Sequence, residues 1–148
     1  MANGQSLAND PEFKNPQYRT VAGSEYEHNG LKAKMIYLAT DEKGKPSGLP
    51  QYSKESDIYF KGQEMGKALQ AKVYKNHRMV LDFDWSHNHR NKGNGETFEA
   101  GTIHVQEYRV DNNGNIRRLS NQARLMTIDE IRKYGQIILH FNPKVKFR

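Results

Sequence analysis

Residues 78–85, Arg78-Met79-Val80-Leu81-Asp82-Phe83-Asp84-Trp85, alternate in character along their length. Met79, Leu81, Phe83 and Trp85 fall on one side of an extended chain, with Asp82 and Asp84 on the other. A period of two is the mark of a half-buried antiparallel strand. Upstream, Ala71-Lys72-Val73-Tyr74 reads as its hairpin partner across Lys75-Asn76-His77. Downstream, Gly101 to Val110 is a third strand, and Asn113-Gly114 signals a tight turn into a fourth over Asn115 to Leu119. These segments set the frame of an antiparallel sheet.

Working outward, Leu31 to Ala39 and Asp57-Ile58-Tyr59-Phe60 read as further strands. The Gly- and Pro-rich stretch from Asp41 to Pro50 reads as an exposed loop. Gln63 to Ala71 has weak helical spacing through Met65, Ala68 and Leu69, interrupted by Gly66. Thr127-Ile128-Asp129-Glu130 has capping-box spacing, with Met126 and Ile131 placed as a hydrophobic staple. Gly135 is expected to end that helix after Tyr134. Gln136 to Phe141 would then be a strand with Ile137, Leu139 and Phe141 on one face and His140 on the other. Residues 1–30 are polar, carry Pro11 and Pro16, and read as a flexible N-terminal arm. The expectation is a single α+β domain over 31–148, an antiparallel sheet with one or two short helices.

With 148 residues the chain suits one domain, and with no cysteine it has neither disulfides nor thiolate metal ligands. Lys and Arg number 23 against 17 acidic residues, a formal net charge of +6, which favours RNA, DNA or an acidic protein as partner. No apolar run approaches a membrane span, and the first residues lack the pattern of a secretory signal peptide.

The chemistry concentrates in Trp85-Ser86-His87-Asn88-His89-Arg90 and Gly101-Thr102-Ile103-His104-Val105-Gln106. In a continuous strand His87 and His89 share a face. On the second segment Thr102, His104, Gln106 and Tyr108 form a hydrogen-bonding row opposite Ile103 and Val105. Imidazole transfers protons near neutral pH and also ligates metals. The leading expectation is a metal-independent ribonuclease, because RNA supplies its own 2′-hydroxyl nucleophile and the protein needs only a general base, a general acid and a cation. His87, His89, His104 and Tyr108 are the candidate catalytic residues, and Arg90, Arg109, Arg118 and Arg124 the candidate phosphate ligands. The alternative is a hydrolase in which His87, His89 and His104 hold zinc or another divalent metal. Strand parity sets Asp82 and Asp84 on the face opposite His87. A third reading is a non-catalytic nucleic-acid-binding module, with Tyr37, Tyr52, Tyr59, Tyr74 and Tyr108 stacking bases. His28 and His77 read as structural or surface residues, and His140 as a lesser candidate.

Met79 to Phe141 resembles the C-terminal toxin domains of bacterial polymorphic toxin systems. The likeness lies in the strand ending in Trp85-Ser86-His87-Asn88-His89, in Gly101-Thr102-Ile103-His104-Val105, and in Ala123-Arg124-Leu125-Met126-Thr127 leading to a small helix. The resemblance covers less than half the chain and assigns no residue a catalytic role. It implies a nuclease, a cognate acidic immunity protein, and delivery by a larger carrier into a target-cell cytoplasm.

Overall fold

Ten strands and one helix form from these segments in the computed structural model, which describes residues 18–38 and 48–148. The strands are β1 (Tyr18–Thr20), β2 (Tyr26–His28), β3 (Leu31–Leu38), β4 (Ile58–Lys61), β5 (Gln70–Lys75) and β6 (Arg78–Asp84). They continue with β7 (His89–Arg90), β8 (Thr97–Phe98), β9 (His104–Val110) and β10 (Ile116–Arg118), followed by the helix α1 (Ile128–Phe141). The main sheet runs β1-β3-β4-β5-β6-β9-β10, with β2 also paired to β3, and β7 and β8 make a separate two-stranded ribbon. Every pairing is antiparallel except β3 with β4. The α+β class expected from the alternation holds. No described helix is long and apolar enough to cross a membrane.

The turn between β5 and β6 places Asn76 and His77 at φ of 53° and 69°. Left-handed conformation at both central residues matches the right-handed twist of the flanking strands. His77 Nδ1 donates to the Ser53 carbonyl at 2.9 Å, and the His77 carbonyl accepts from the Ser53 amide. His77 is therefore structural, as expected. The β9–β10 turn is closed by Asp111, whose carboxylate accepts the amides of Asn113 and Asn115, with Gly114 at φ 82°.

One face of the sheet packs on α1. Met35, Ile58, Phe60, Val73, Phe83, Trp85, Ile103 and Val105 meet Tyr134, Ile137, Ile138 and Phe141 there. The opposite face holds a smaller cluster of Ile36, Leu49, Tyr59, Tyr74 and Met79. Met79 thus departs from the expected row with Leu81 and Phe83. The pairing register shifts between Val73 and Tyr74, so that Leu81 faces Val73 while Met79 faces Tyr74. The extra residue of this bulge, Val80, turns Met79 to the other face. Tyr52, Tyr59 and Tyr74 are buried, which removes them from any base-stacking surface.

Three boundaries differ from expectation. Residues 18–30 do not belong to an arm, because β1 and β2 pair with β3 along its length. Residues 63–69 form turns, with Lys67 amide bonded to Glu64 carbonyl and Gly66 at φ 86°, rather than a helix. The expected loop from Asp41 to Pro50 lies mostly outside the described residues. The largest difference is α1, which runs through Gly135 to Phe141. Tyr134, Ile137, Ile138 and Phe141 form a helical stripe that the sheet buries. Mid-helix glycine costs about 1 kcal/mol, whereas each buried Ile or Phe contributes roughly 1.5–3 kcal/mol. Burial wins. His140 consequently sits on the helix, stacked on Tyr26 at 3.8 Å, and not on a strand.

The capping box forms as expected, Thr127 accepting from the Glu130 amide and Glu130 from the Thr127 amide. The Glu130 carboxylate also takes a two-pronged bond from Arg124, at 2.7 and 2.9 Å. Burial pushes its pKa up, but Arg124 and the Thr127 amide outweigh this and hold it below the ordinary value. Its contribution to stability is therefore complete above the unfolded pKa of about 4.3 and is lost as pH falls through the lower folded value. Glu130→Gln is expected to lower the unfolding free energy by about 1–2 kcal/mol at pH 7, and by steadily less below pH ~4, in urea titrations across that range.

Candidate functional site

At Asp84 the chain leaves the sheet. Trp85 is buried beneath, its indole donating to the Ala68 carbonyl at 2.9 Å, and its own carbonyl accepts the Gly101 amide. Asp84 Oδ1 accepts both the Ser86 amide and the Ser86 hydroxyl at 2.8 Å, a local turn that competes with strand extension. The expected strand parity therefore stops at Trp85. His87 swings back to the Asp84 side, with its Nδ1 3.5 Å from Asp84 Oδ1. His104 begins β9 directly opposite Asp84, and His89 opens the β7–β8 ribbon. His87, His89 and His104 converge, each offering a ring nitrogen within 4.8 Å of the others. The rings of His89 and His104 stack at 4.8 Å, while His87 stands edge-on to both.

The hydrogen bonds assign the tautomers. Ser86 Oγ donates to Asp84, so it accepts from His87 Nδ1 at 3.0 Å and leaves His87 Nε2 with its lone pair. Asn91 donates to the Ala123 carbonyl and accepts the Ala123 amide, which fixes its Oδ1 as an acceptor toward His89 Nε2 at 3.1 Å. His89 Nδ1 keeps its lone pair. His104 is 3% exposed, and its Nδ1 has no partner. Burial holds the His104 pKa below its ordinary value, assisted by the neighbouring His89 and His87 and opposed by Asp84 and by the Thr102 backbone. Phe98 lies against the His89 and His104 rings at 6.1 and 5.6 Å and closes one side.

This arrangement fits a metal better than an acid–base pair. Ligands around a zinc-class ion with bonds of about 2.1 Å lie roughly 3.4 Å apart, and nitrogens within 4.8 Å of one another would have to close by at most about 1.4 Å to reach that spacing. A hydrogen bond on the ring nitrogen that does not ligate is the usual support of a metal-bound imidazole, and His87 and His89 each have one nitrogen bonded and one with its lone pair. A base and an acid working on opposite sides of one phosphate must span two hydrogen bonds of about 2.8 Å plus the phosphate itself. The converging nitrogens, all within 4.8 Å of one another, stand closer together than that.

Beside His89 opens a groove of about 550 Å³ lined by Arg90, Lys92, Arg118, Asn121 and Gln122. Its charged residues are all cations, and the three form no ion pair among the described residues. Gly93 packs closely on Gln122, where an added Cβ would stand 2.1 Å from Nε2 and displace the end of that side chain.

Of the expected phosphate ligands, the structure brings Arg90 and Arg118 together. Arg124 is instead held by Glu130 and Glu107, and Arg109 is exposed on β9 opposite Arg117, away from the groove. Tyr108 stands four residues beyond His104, about 13 Å along a strand, and packs against the Ile36 and Tyr74 cluster. It does not join the histidines. Asp82 faces Lys72 across β5 and accepts from Gln70, which occupies it away from the trio. The supporting parts of the trio, Asp84, Ser86, Asn91 and Phe98, are not marked by local sequence pattern, save for the Asp-Trp-Ser turn. No protein-family profile, curated protein or solved structure matches the chain.

Asn91 ties the ribbon, His89 and residue 123 together, so its removal strands a buried amide and carbonyl. Asn91→Ala is expected to destabilise the fold by about 1–3 kcal/mol in chemical denaturation, while Asn91→Asp recovers only the acceptor half. An unchanged midpoint in Asn91→Ala would rule out the anchoring role.

Proposed function

We propose that the chain is a metal-dependent hydrolase of the toxin-nuclease kind, with His87, His89 and His104 holding one divalent ion. The observation that carries this is the convergence of three imidazoles, two of them with one ring nitrogen hydrogen-bonded and the other holding a lone pair, and the third with a buried, unpartnered Nδ1. A zinc-class ion there supplies Lewis acidity and a nucleophilic water near neutral pH. The chain's own residues supply the rest. Neutral imidazoles are the ligating form, and burial keeps His104 in it. Asp84 and Ser86 orient His87, Asn91 orients His89, and Phe98 keeps water from one side of the pair. Cleavage of phosphodiesters, rather than of peptides, is favoured by the cationic groove adjoining His89.

A second reading keeps the same substrate without metal. Exposed His87 beside Asp84 has the form of a carboxylate-oriented proton-transfer group, acting with Arg90 on RNA. Under either reading an acidic immunity protein would be drawn to the same basic edge, and delivery would rest on a carrier.

Metal-stripped protein is expected to bind zinc, cobalt or nickel at one equivalent by calorimetry, with His104→Ala losing at least 100-fold in affinity. Cleavage of total RNA or DNA should disappear in EDTA and return with the ion. Cleavage that persists in stripped protein with EDTA present, but is lost in His87→Ala, would transfer the assignment to the metal-free reading.

A further inference from the structure

The groove beside His89 has a role of its own. Three cations line it, Arg90 from β7, Lys92 from the ribbon loop and Arg118 from β10; none makes an ion pair among the described residues, and Arg118 is in the field of the Asp82 carboxylate. They come from two parts of the chain, and it is the tertiary fold that brings Arg118 to the local pair Arg90 and Lys92. Elsewhere in the fold arginines are neutralised, Arg124 by Glu107 and Glu130 and Arg117 by Asp111. The groove's other side chains are amides, Asn121 and Gln122, and it contains no aromatic ring beyond His89. The Gln122 Oε1 atom is buried and unpartnered.

We infer that this groove seats a backbone phosphate next to the bond that is cut, which makes the substrate class an unpaired nucleic-acid strand gripped through its phosphates and not its bases. The inference rests on the hydrolase reading only for the identity of the neighbouring centre. Guanidinium forks match phosphate oxygens two at a time, and Lys92 adds a mobile point charge. His89 belongs to both the groove and the trio, so a strand lying in one must pass the other. The recessed His104 and the modest volume suit one extended strand. A duplex presents its phosphates on the outside of a body too wide to reach that depth. Without stacking surfaces the grip is electrostatic and tolerant of sequence. An acidic polypeptide shares the charge but lacks phosphate oxygens for the guanidinium forks to grip two at a time.

The test separates the groove from the metal centre. Binding of a fluorescent 12-mer, ribose or deoxyribose, is measured by anisotropy in EDTA, so that no turnover occurs. Three phosphate contacts on a single strand imply that log K falls with log salt at a slope of about −2. Arg118→Ala and the double variant Arg90→Ala/Lys92→Ala should weaken binding at least tenfold and flatten the slope by about 0.7 per charge removed. Both variants should keep the wild-type melting temperature and zinc affinity, since these side chains are exposed and outside the trio. A preference for the ribose or the deoxyribose strand identifies the nucleic acid. Wild-type binding with no salt dependence, variants that bind as tightly as wild type, or tighter binding of duplex or of polyglutamate overturns the inference. Loss of the zinc site with the salt slope intact would instead overturn the hydrolase reading and leave the groove standing.

Discussion

The antiparallel register of β6 on β9 is the constraint from which both the core and the site follow. Phe83 stands opposite Val105, and Asp84 opposite His104. Side chains alternate faces, so one step in register decides everything. The first pair enters the helix-covered core, and the second is delivered to the other face with a carboxylate beside an imidazole. A slip of one residue would bury Asp84 against α1 and expose Phe83. The large apolar term on the helix side, with Phe83, Trp85, Ile103 and Val105 all buried, holds that register against the desolvation of His104.

The histidine trio is assembled by anchors that are not themselves reactive. Trp85 bonds to Ala68 and ends β6 at a fixed point, after which the Asp84–Ser86 turn has little freedom in where it places His87. Asn91 joins the ribbon to residue 123 from the chain's distant part, and so fixes His89 through a backbone contact. Two of the three rings are thus oriented through tight local bonds, and the third by a strand of the sheet. Such bonds confine the rings at little entropic loss to the folded chain, since the anchors are ordered by the core already.

The positive balance of the composition is distributed unevenly, and the unevenness has meaning. Arg124 spends its charge inside the fold, joining β9 to the start of α1 through Glu107 and Glu130, with its pKa raised chiefly by the Glu130 bond. Lys72 is partly buried opposite Asp82, where burial lowers the lysine pKa and raises that of the aspartate while each counters the other's shift. Arg90, Lys92 and Arg118, by contrast, have no ion pair among the described residues and line the groove beside His89. Net charge alone could not distinguish these arginines, because pairing depends on where glutamates 6 and 17 residues away in the chain are brought in space.

The chain's alternation by itself determined the sheet's central strands, the Asn113-Gly114 turn, the Thr127 cap and the three histidines as a group, since these are set by local periodicity and by backbone chemistry within a few residues. It misread α1 because Ile137, Leu139 and Phe141 fit a period of two while Tyr134, Ile137, Ile138 and Phe141 fit a helical stripe. Gly135 argues locally for a stop. Only the burial of that stripe on the sheet chooses between them. The place of Met79 was likewise beyond local reading, because a bulge is a mismatch between two strands and is invisible in either one. Tertiary structure alone decided that His87 returns to the Asp84 face, that Asn91 and Phe98 frame the site, that Arg118 joins Arg90 while Arg124 is withdrawn, and that Tyr108 belongs to a different cluster. Each of these is a contact between segments far apart in the chain, and such contacts are selected by the free energy of the whole core, not by any stretch of sequence.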